Sequence, residues 1–347
     1  MPRSIIKCRS LDIKPSLLDD LIDAYLSDTP QTRQSVARKC GVSASTSGKV
    51  ATALVECGFA DQRLYADKGS RPALHLYLKE GLRVMVIDLS RSVYTMSIID
   101  PDGKCHFSSD HQYDAGISYE DNLNIFLSRS GYAAKLKQIS FYAVAVILTD
   151  TTPDERHSLL TPSAYIPTML DKDKTDNIIR SVFNRQRVTY LKCSDALSSA
   201  LKFEVVPVSS DYFGISYIFM GSHICAFNVS KHGVIHCDLN SFIVGDRTLG
   251  EVAQRRIDSI TLSDVLSKVT NMLHCAYGSS SIVIDSDVYD IDETVIHKIR
   301  HDCAKVGVLA PTLIASSNAT SLICLAAAKV ALSKFIRTMI SSLGENV

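Results

Sequence analysis

The chain has 347 residues, with 37 Lys and Arg against 37 Asp and Glu, so its formal net charge is zero. Apolar residues make up 46% and charged residues 21%, the balance of a soluble globular protein with two or three domains, which excludes disorder, collagen and coiled coil as the main architecture. The most apolar runs, 142–148 and 322–332, are shorter than a bilayer requires and the second contains Lys329, so no membrane partner is expected.

The opening MPRSIIKCRSLDIK carries charges where a signal peptide needs an apolar stretch, so a cytoplasmic location is expected. Ten cysteines without a C-x-x-C pair read as reduced thiols. Zero net charge argues against a nucleic-acid partner only if the charge is evenly spread, and it is not. Residues 1–80 hold 12 basic against 9 acidic residues, which leaves 25 against 28 for the rest. Residues 31–55 contain Arg33, Arg38, Lys39 and Lys49 and no acid, while Asp12, Asp19, Asp20, Asp23 and Asp28 all precede them. A phosphate-facing surface needs that local excess, because neutralised phosphates release counterions.

In chain order, Pro15-Ser16 followed by LLDDLIDAYL predicts a helix that ends at Thr29-Pro30. A second short helix is expected from Thr32 to Cys40, closed by Gly41. Ser43 then caps a third, with Val50, Leu54 and Val55 inward. Two alternating segments around 63–66 and 73–78 flank the turn at Asp67–Ser70, which predicts a β-hairpin. Helix, glycine-containing turn, helix and hairpin make a winged helix-turn-helix, whose second motif helix lies in the major groove of double-stranded DNA. The contacts expected are Arg33, Ser43, Ser45, Thr46 and Lys49 on the helices, with Lys68 and Arg71 at the wing tip. A three-helix interaction module that never meets DNA is the alternative. Two departures stand out: Ser47 occupies a position that usually buries an aliphatic side chain, and Gly48 lowers helix propensity by about 1 kcal/mol.

From Leu82 the pattern becomes three strands with tight turns, a helix from Ser118, a buried strand from Ile139, a helix from Lys174, and RVTYLKCSDALSSALKFE as strand into helix. The second half repeats it. ISYIFMGSHICAFNVSKHGVIHC is a hairpin pair, TLSDVLSKVTNMLHC a helix, SSIVIDSD a strand, and a long helix begins near Leu322. The recurrence predicts two stacked α/β lobes with a cleft between them.

VMVIDLSRSVYTMSIIDPDGK, the segment GSRP at residues 69–72 and the preceding winged-helix pattern resemble the ROK family of repressors, open reading frames and kinases. The resemblance implies a winged helix-turn-helix at 1–80 followed by a two-lobed actin-like, sugar-kinase-like fold. Its first lobe would be 81–192, with the C-terminal helix (about 322–347) packing back on it, and its second lobe 193–321. It also implies a dimeric bacterial-type transcription regulator, a repressor, with a small carbohydrate as effector.

The chemical motifs are eroded. The family's first phosphate loop, D-x-G-G-T, reads Asp88-Leu89-Ser90-Arg91-Ser92, and the second, G-T-G-x-G-x-G, reads Gly221-Ser222-His223-Ile224-Cys225-Ala226. Paired glycines on the adenosine side become Asp285-Ser286-Asp287, where carboxylates would repel a nucleotide. The segment N-D-A-N that carries the family's catalytic base matches Ser194-Asp195-Ala196-Leu197. Asp88, Ser194 and Asp195 are therefore the expected ligand-binding residues, although Asp195 reads equally as a first-turn helix acid. The E-x-G-H motif and the cysteine-rich zinc loop have no match in the sequence. His232, His236 and Cys237, and the pair His297 and His301 with Cys303, lack the spacing of a defined metal site. No cofactor, no metal and no catalysis are expected. An active sugar kinase that uses ATP, and an effectorless assembly domain controlled by a protein partner, are the alternative readings.

Overall fold

The computed structural model describes residues 13–27, 30–65, 72–90, 93–114, 116–148, 172–183, 188–204, 214–220, 224–230, 233–239, 243–244, 247–249, 259–286, 289–305 and 311–344. The head begins with α1 (Pro15–Ser27), then β1 (Gln31–Thr32), α2 (Arg33–Lys39) and α3 (Ala44–Glu56), and closes with the hairpin β2 (Ala60–Tyr65) and β3 (Ala73–Leu78). Helix α2 starts in a full capping box: Thr32 accepts from the Ser35 amide at 3.0 Å and the Ser35 hydroxyl accepts from the Thr32 amide at 3.1 Å. Gly41 makes the turn with φ +65°, where a side chain is disfavoured. The three strands pair antiparallel in the order β1-β3-β2, a winged helix-turn-helix. The two-residue strand β1 was not expected; it is too short to leave a periodic signal.

The body is two sheets of one topology. The first contains β4 (Val84–Asp88), β5 (Val93–Ile99), β6 (Cys105–Gln112), β7 (Ala143–Leu148) and β8 (Val188–Lys192), in the order β6-β5-β4-β7-β8. The second contains β9 (Ile215–Met220), β10 (Ile224–Ser230), β11 (Gly233–Asp238), β14 (Ser281–Ser286) and β15 (Thr312–Ser316), in the order β11-β10-β9-β14-β15. A separate pair, β12 (Ile243–Val244) and β13 (Arg247–Thr248), lies between β11 and β14 in the chain. In both sheets the first three strands are antiparallel neighbours and the last two join in parallel. Parallel neighbours require crossovers, and helices supply them: α4 (Tyr119–Leu136) and α5 (Lys172–Phe183) in the first lobe, α7 (Ser259–Tyr277) and α8 (Glu293–Lys305) in the second. Each helix pair covers an apolar face of its own sheet, around Met85, Ile87 and Tyr94 in one lobe and Ile218, Ile282 and Ile284 in the other.

The remaining two helices cross over. α6 (Cys193–Glu204) follows the last strand of the first sheet yet packs on β10 and β11 of the second. α9 (Ala319–Gly344) follows the last strand of the second sheet yet packs on β4, β7 and β8 of the first. The two helices also pack on each other, so one hydrophobic cluster runs from Val84, Val86 and Ala145 through Leu197, Leu201, Ala327 and Ala331 to Tyr217 and Phe219.

α9 has the 26 residues expected for the C-terminal helix but runs from Ala319 to Gly344, three residues earlier than about 322–347. By length and composition alone it could span a bilayer, yet 56% of its most apolar window is buried in the protein and Lys329 is only 7% exposed. It acts here as a core helix.

The same helix carries the head. α1 lies along α9, and Leu18, Leu21, Ile22 and Tyr25 belong to the same hydrophobic cluster as Ile336 and Ile340. Phe59, just before β2, meets Phe335 of α9 edge-on at 5.9 Å and Tyr142 of the first lobe at 6.5 Å, and Tyr142 and Phe335 are 6.0 Å apart. Arg337 Nη1 donates to Asp19 Oδ2 at 2.7 Å. Removing the half-buried ring with Phe335→Ala is expected to cost about 2 kcal/mol in urea unfolding. Faster amide exchange in residues 15–27 is expected with it, and unchanged exchange there would mean that the head does not depend on this contact.

Candidate nucleic-acid interface and kinase-like cleft

The outward side of α3 presents Ser45, Lys49 and Thr52, with Ser43 and Ala44 exposed at its start. Thr52 turns its hydroxyl back to the Gly48 carbonyl at 2.9 Å. Ser43 caps the helix, accepting from the Thr46 amide at 3.1 Å, and its hydroxyl lies 2.9 Å from that of Thr46. Both side chains therefore serve the helix start, and Lys49 is the outward cation of α3 among the described residues.

Arg33 sits differently from the outward contact that its place in the basic window suggested. It is half-buried, reaches across α3 and donates from Nη2 to Gln62 Oε1 of β2 at 3.4 Å. Gly48 makes room for it: a Cβ there would stand 3.3 Å from Arg33 Cδ. The propensity lost at Gly48 is offset by an arginine that ties α2, α3 and the wing strand together. Arg38 and Lys39, by contrast, are exposed in the last turn of α2, where cations also suit the helix dipole. They were legible as part of the acid-free window, but nothing in their spacing marked them as facing outward.

Ser47 has a partner that explains its departure from an aliphatic residue. Tyr25 of α1 is fully buried, donates to the Ser47 carbonyl at 3.1 Å, and shares a 2.6 Å hydrogen bond with the Ser47 hydroxyl. Burial pushes the Tyr25 phenol above its ordinary value, more than the Ser47 hydrogen bond lowers it. Lys68 and Arg71 lie outside the described residues. Where the hairpin approaches them, Leu64, Tyr65 and Leu74 are exposed, with Leu64 opposite Leu74 in register.

In the body, Asp88 ends β4 and is 2% exposed. Its Oδ1 accepts both the Ser90 amide at 2.9 Å and the Ser90 hydroxyl at 2.6 Å, so the turn after β4 is closed by its own side chain. At the end of β14, Ser286 donates to the Met220 carbonyl at 2.6 Å and accepts from the Tyr289 amide at 2.8 Å, which binds that turn to the end of β9. Beside it, fully buried Asp285 accepts from Tyr217 Oη at 2.6 Å and from the Asn318 amide at 3.2 Å. Burial first, and then the Asp285 hydrogen bond and charge, hold the Tyr217 phenol well above its ordinary value. Ser194 is buried and Asp195 exposed in the first turn of α6, a place where the helix dipole favours an acid whatever else it does. Residues 91–92, 221–223 and 287 lie outside the described residues.

No group of three potential metal ligands forms among the described residues. His236 stacks on Phe227 at 4.9 Å, and Cys237 lies 2.9 Å from Tyr277 Oη. His297 is exposed, 4.0 Å from Glu293. Position 232 is outside the described residues.

No protein-family profile matches the sequence, and no curated protein sequence matches it. Solved structures do share the fold. A ROK family transcriptional regulator, a homologue of the E. coli MLC protein, is 14% identical, with TM-score 0.65 over 96% of this chain and 100% of that one. A ROK family glucokinase from Streptomyces griseus, solved with glucose and AMPPNP, is 11% identical, with TM-score 0.50 over 72% of this chain and 99% of that one. The fold is thus a winged helix-turn-helix joined to the two-lobed architecture of ROK proteins, and the first comparison spans head and body together.

Replacing Ser47 tests the packing of the head. Ser47→Ala keeps the carbonyl acceptor and is expected to cost about 1 kcal/mol. Ser47→Leu, the residue type the motif usually carries, forces Tyr25 aside and is expected to cost about 1–3 kcal/mol more. Equal costs in thermal or urea unfolding would show that the site has room for the larger side chain. Tyr217 gives a pH test. Its raised folded value means that its contribution is complete below pH 10.0, the ordinary phenol value, and is lost as the pH climbs above it. Tyr217→Phe is expected to lose about 1–3 kcal/mol at pH 7, because Asp285 loses a donor, and to show a shallower alkaline decline than the parent. A parallel decline would mean that Tyr217 ionises freely in the fold.

Proposed function

We propose that the protein is a DNA-binding transcription regulator, a repressor, whose kinase-like body does not transfer phosphate. The observation that carries this reading is the pairing of a helix-turn-helix whose residues 31–55 hold cations and no acid with a body in which two nucleotide-side turns, after β4 and after β14, are closed by their own side chains. Lys49, with Ser45 beside it, faces away from the head. Ser90 and Ser286 fill hydrogen-bonding positions at the ends of β4 and β14 where kinase loops rely on bare glycine backbone. A relative solved as a transcriptional regulator shares this order of parts over 96% of the chain.

On this reading residues 1–80 are the DNA-binding unit, 81–192 with α9 the first lobe, and 193–321 the second. The protein is a cytoplasmic homodimer, because one small head buries little DNA surface and two heads can meet two half-sites. Lys49, Ser45, Lys68 and Arg71 contact the duplex. Ser43 and Thr46 present the α3 N-terminus to phosphate, and Arg33 braces the wing. A small carbohydrate in the cleft near Asp88, Ser194 and Asp195 is the effector, and lobe closure alters the spacing of the heads. Most of the affinity is electrostatic, since few base-reading side chains are on offer.

The test is fluorescence anisotropy on duplex DNA from the protein's own promoter at several salt concentrations. Lys49→Ala and Arg71→Ala are each expected to weaken binding several-fold and to lower the salt slope by about 1. Binding and slope unchanged in both variants would sink the contact assignment. Under the same reading ATP is not consumed with any of a panel of hexoses and amino sugars, and sugar-dependent turnover would restore the kinase.

A further inference from the structure

A cavity lies on the flank of the first lobe, away from the turns at the ends of β4 and β14. It has a volume of about 350 Å³, is open to solvent, and is walled by α5 on one side and α9 on the other, with β7 and β8 as its floor. Ala143, Val188 and Phe335 form the apolar part of the lining. The walls are cationic: Arg180 comes from α5, and Lys334 and Arg337 from α9, against the single carboxylate of Asp176. Lys334, Arg337 and Thr338 stand at i, i+3 and i+4 and so share one helix face, while Ala331 one turn earlier leaves space in front of them.

The carboxylate in this cavity is already engaged. Asp176 Oδ1 accepts from Tyr190 Oη at 2.6 Å, and its Oδ2 accepts from Arg180 Nη2 at 3.0 Å. That chain of contacts holds the Arg180 guanidinium beside Asp176. Lys334 is exposed on the α9 wall of the cavity, and its backbone carbonyl accepts the Thr338 hydroxyl at 2.9 Å. Arg337 lines the cavity and also reaches the head, where it holds Asp19 at 2.7 Å. One arginine thus belongs both to the cavity lining and to the bridge between α9 and α1.

We propose that this cavity binds a small phosphate dianion, free or as the ester of a small molecule, and that its binding draws Arg337 away from Asp19 and loosens α1 from α9. The charge supports it. With Asp19 displaced from Arg337, three cations face the single carboxylate of Asp176, an excess of two, and a phosphate monoester carries about −1.5 to −2 at pH 7. Arginine forks suit phosphate oxygens bidentately, and a cavity of this size belongs to the lower range of small-molecule sites, roomy for the ion and sufficient for a hexose ester. Asp19 and the phosphate then compete for one partner, so coupling between ligand and head is negative and must be reciprocal. The binding and its effect on α1 are independent of whether the head reads DNA, because neither measurement involves a duplex.

The experiment is isothermal titration of the full chain with inorganic phosphate and, separately, with glucose 6-phosphate, in a buffer free of other multivalent anions. Binding is expected for at least one of them, weakened at least tenfold by Lys334→Glu, an exposed position whose change leaves the fold intact by circular dichroism. Asp19→Asn removes the competitor and is expected to tighten binding about threefold or more. In the parent chain the bound ligand is expected to speed amide exchange in residues 15–27. A higher affinity for the ester identifies the esterified source and equal affinities the free ion; both support the site. Absence of heat from both probes, or full affinity in Lys334→Glu, overturns the site. Unchanged affinity in Asp19→Asn overturns the coupling to the head.

Discussion

The packing of α9 governs how the parts of this molecule relate. One helix contributes Ile323, Ala327, Ala328 and Leu332 to the junction between the lobes, and Phe335, Ile336 and Ile340 to the contact with the head. Full burial of each large aliphatic side chain contributes about 1.5–3 kcal/mol, so the loss of one turn of α9 would remove a sizeable share of a typical domain's stability. The alanines matter as much as the large side chains, because small residues let α6 and the first sheet approach the helix on two sides. The exchange of helices follows: α6 leaves the first lobe to cover the second, and α9 leaves the second to cover the first. Neither sheet can bury its inner face without a helix that belongs, in chain order, to the other.

Charge is arranged around the same helix. Asp20 and Asp23 of α1 lie near Cys40 at the end of α2, where burial first and then these acids raise its thiol, and Asp19 is drawn to Arg337 on α9. At partial exposure that bridge is worth at most about 1 kcal/mol, so it orients the head rather than stabilises it. Hydrophobic contact of α1 with α9, and of Phe59 with Phe335, does the holding.

The fold class was legible because each lobe writes the same pattern, and a repeat of strand, strand, strand, helix, strand leaves few topologies. Most head and body elements could be placed from periodicity, caps and turn residues. What stayed hidden depends on contacts distant in sequence. The space Gly48 provides for Arg33 joins residues 15 apart in the chain, and the hydrogen bond that makes Ser47 acceptable joins residues 22 apart. Each looked like a defect in the motif until its partner was known. Strand β15 escaped because TLIAS alternates only briefly and presents an edge. The flank cavity was invisible for the same reason: its cations come from α5 and α9, about 150 residues apart in the sequence.

The turns of the body carry the argument about chemistry one step further. A glycine phosphate loop keeps its amides unsatisfied until a ligand arrives, so nucleotide binding and loop order are coupled. Ser90 on Asp88 satisfies the turn at the first phosphate-loop position, and Ser286 between Met220 and Tyr289 closes the turn on the adenosine side, both without a ligand. Under the proposed reading, a body closed in this way has no nucleotide-driven order to gain, and any control over the head must come from elsewhere. Two routes reach it physically: rotation of the lobes about the α6–α9 contact, and direct competition for Arg337. The second needs no large motion, because the arginine that lines the cavity also touches the head. Evolution of a sensor from a kinase-like body would then require only that ligand energy be coupled to a joint already present in the fold.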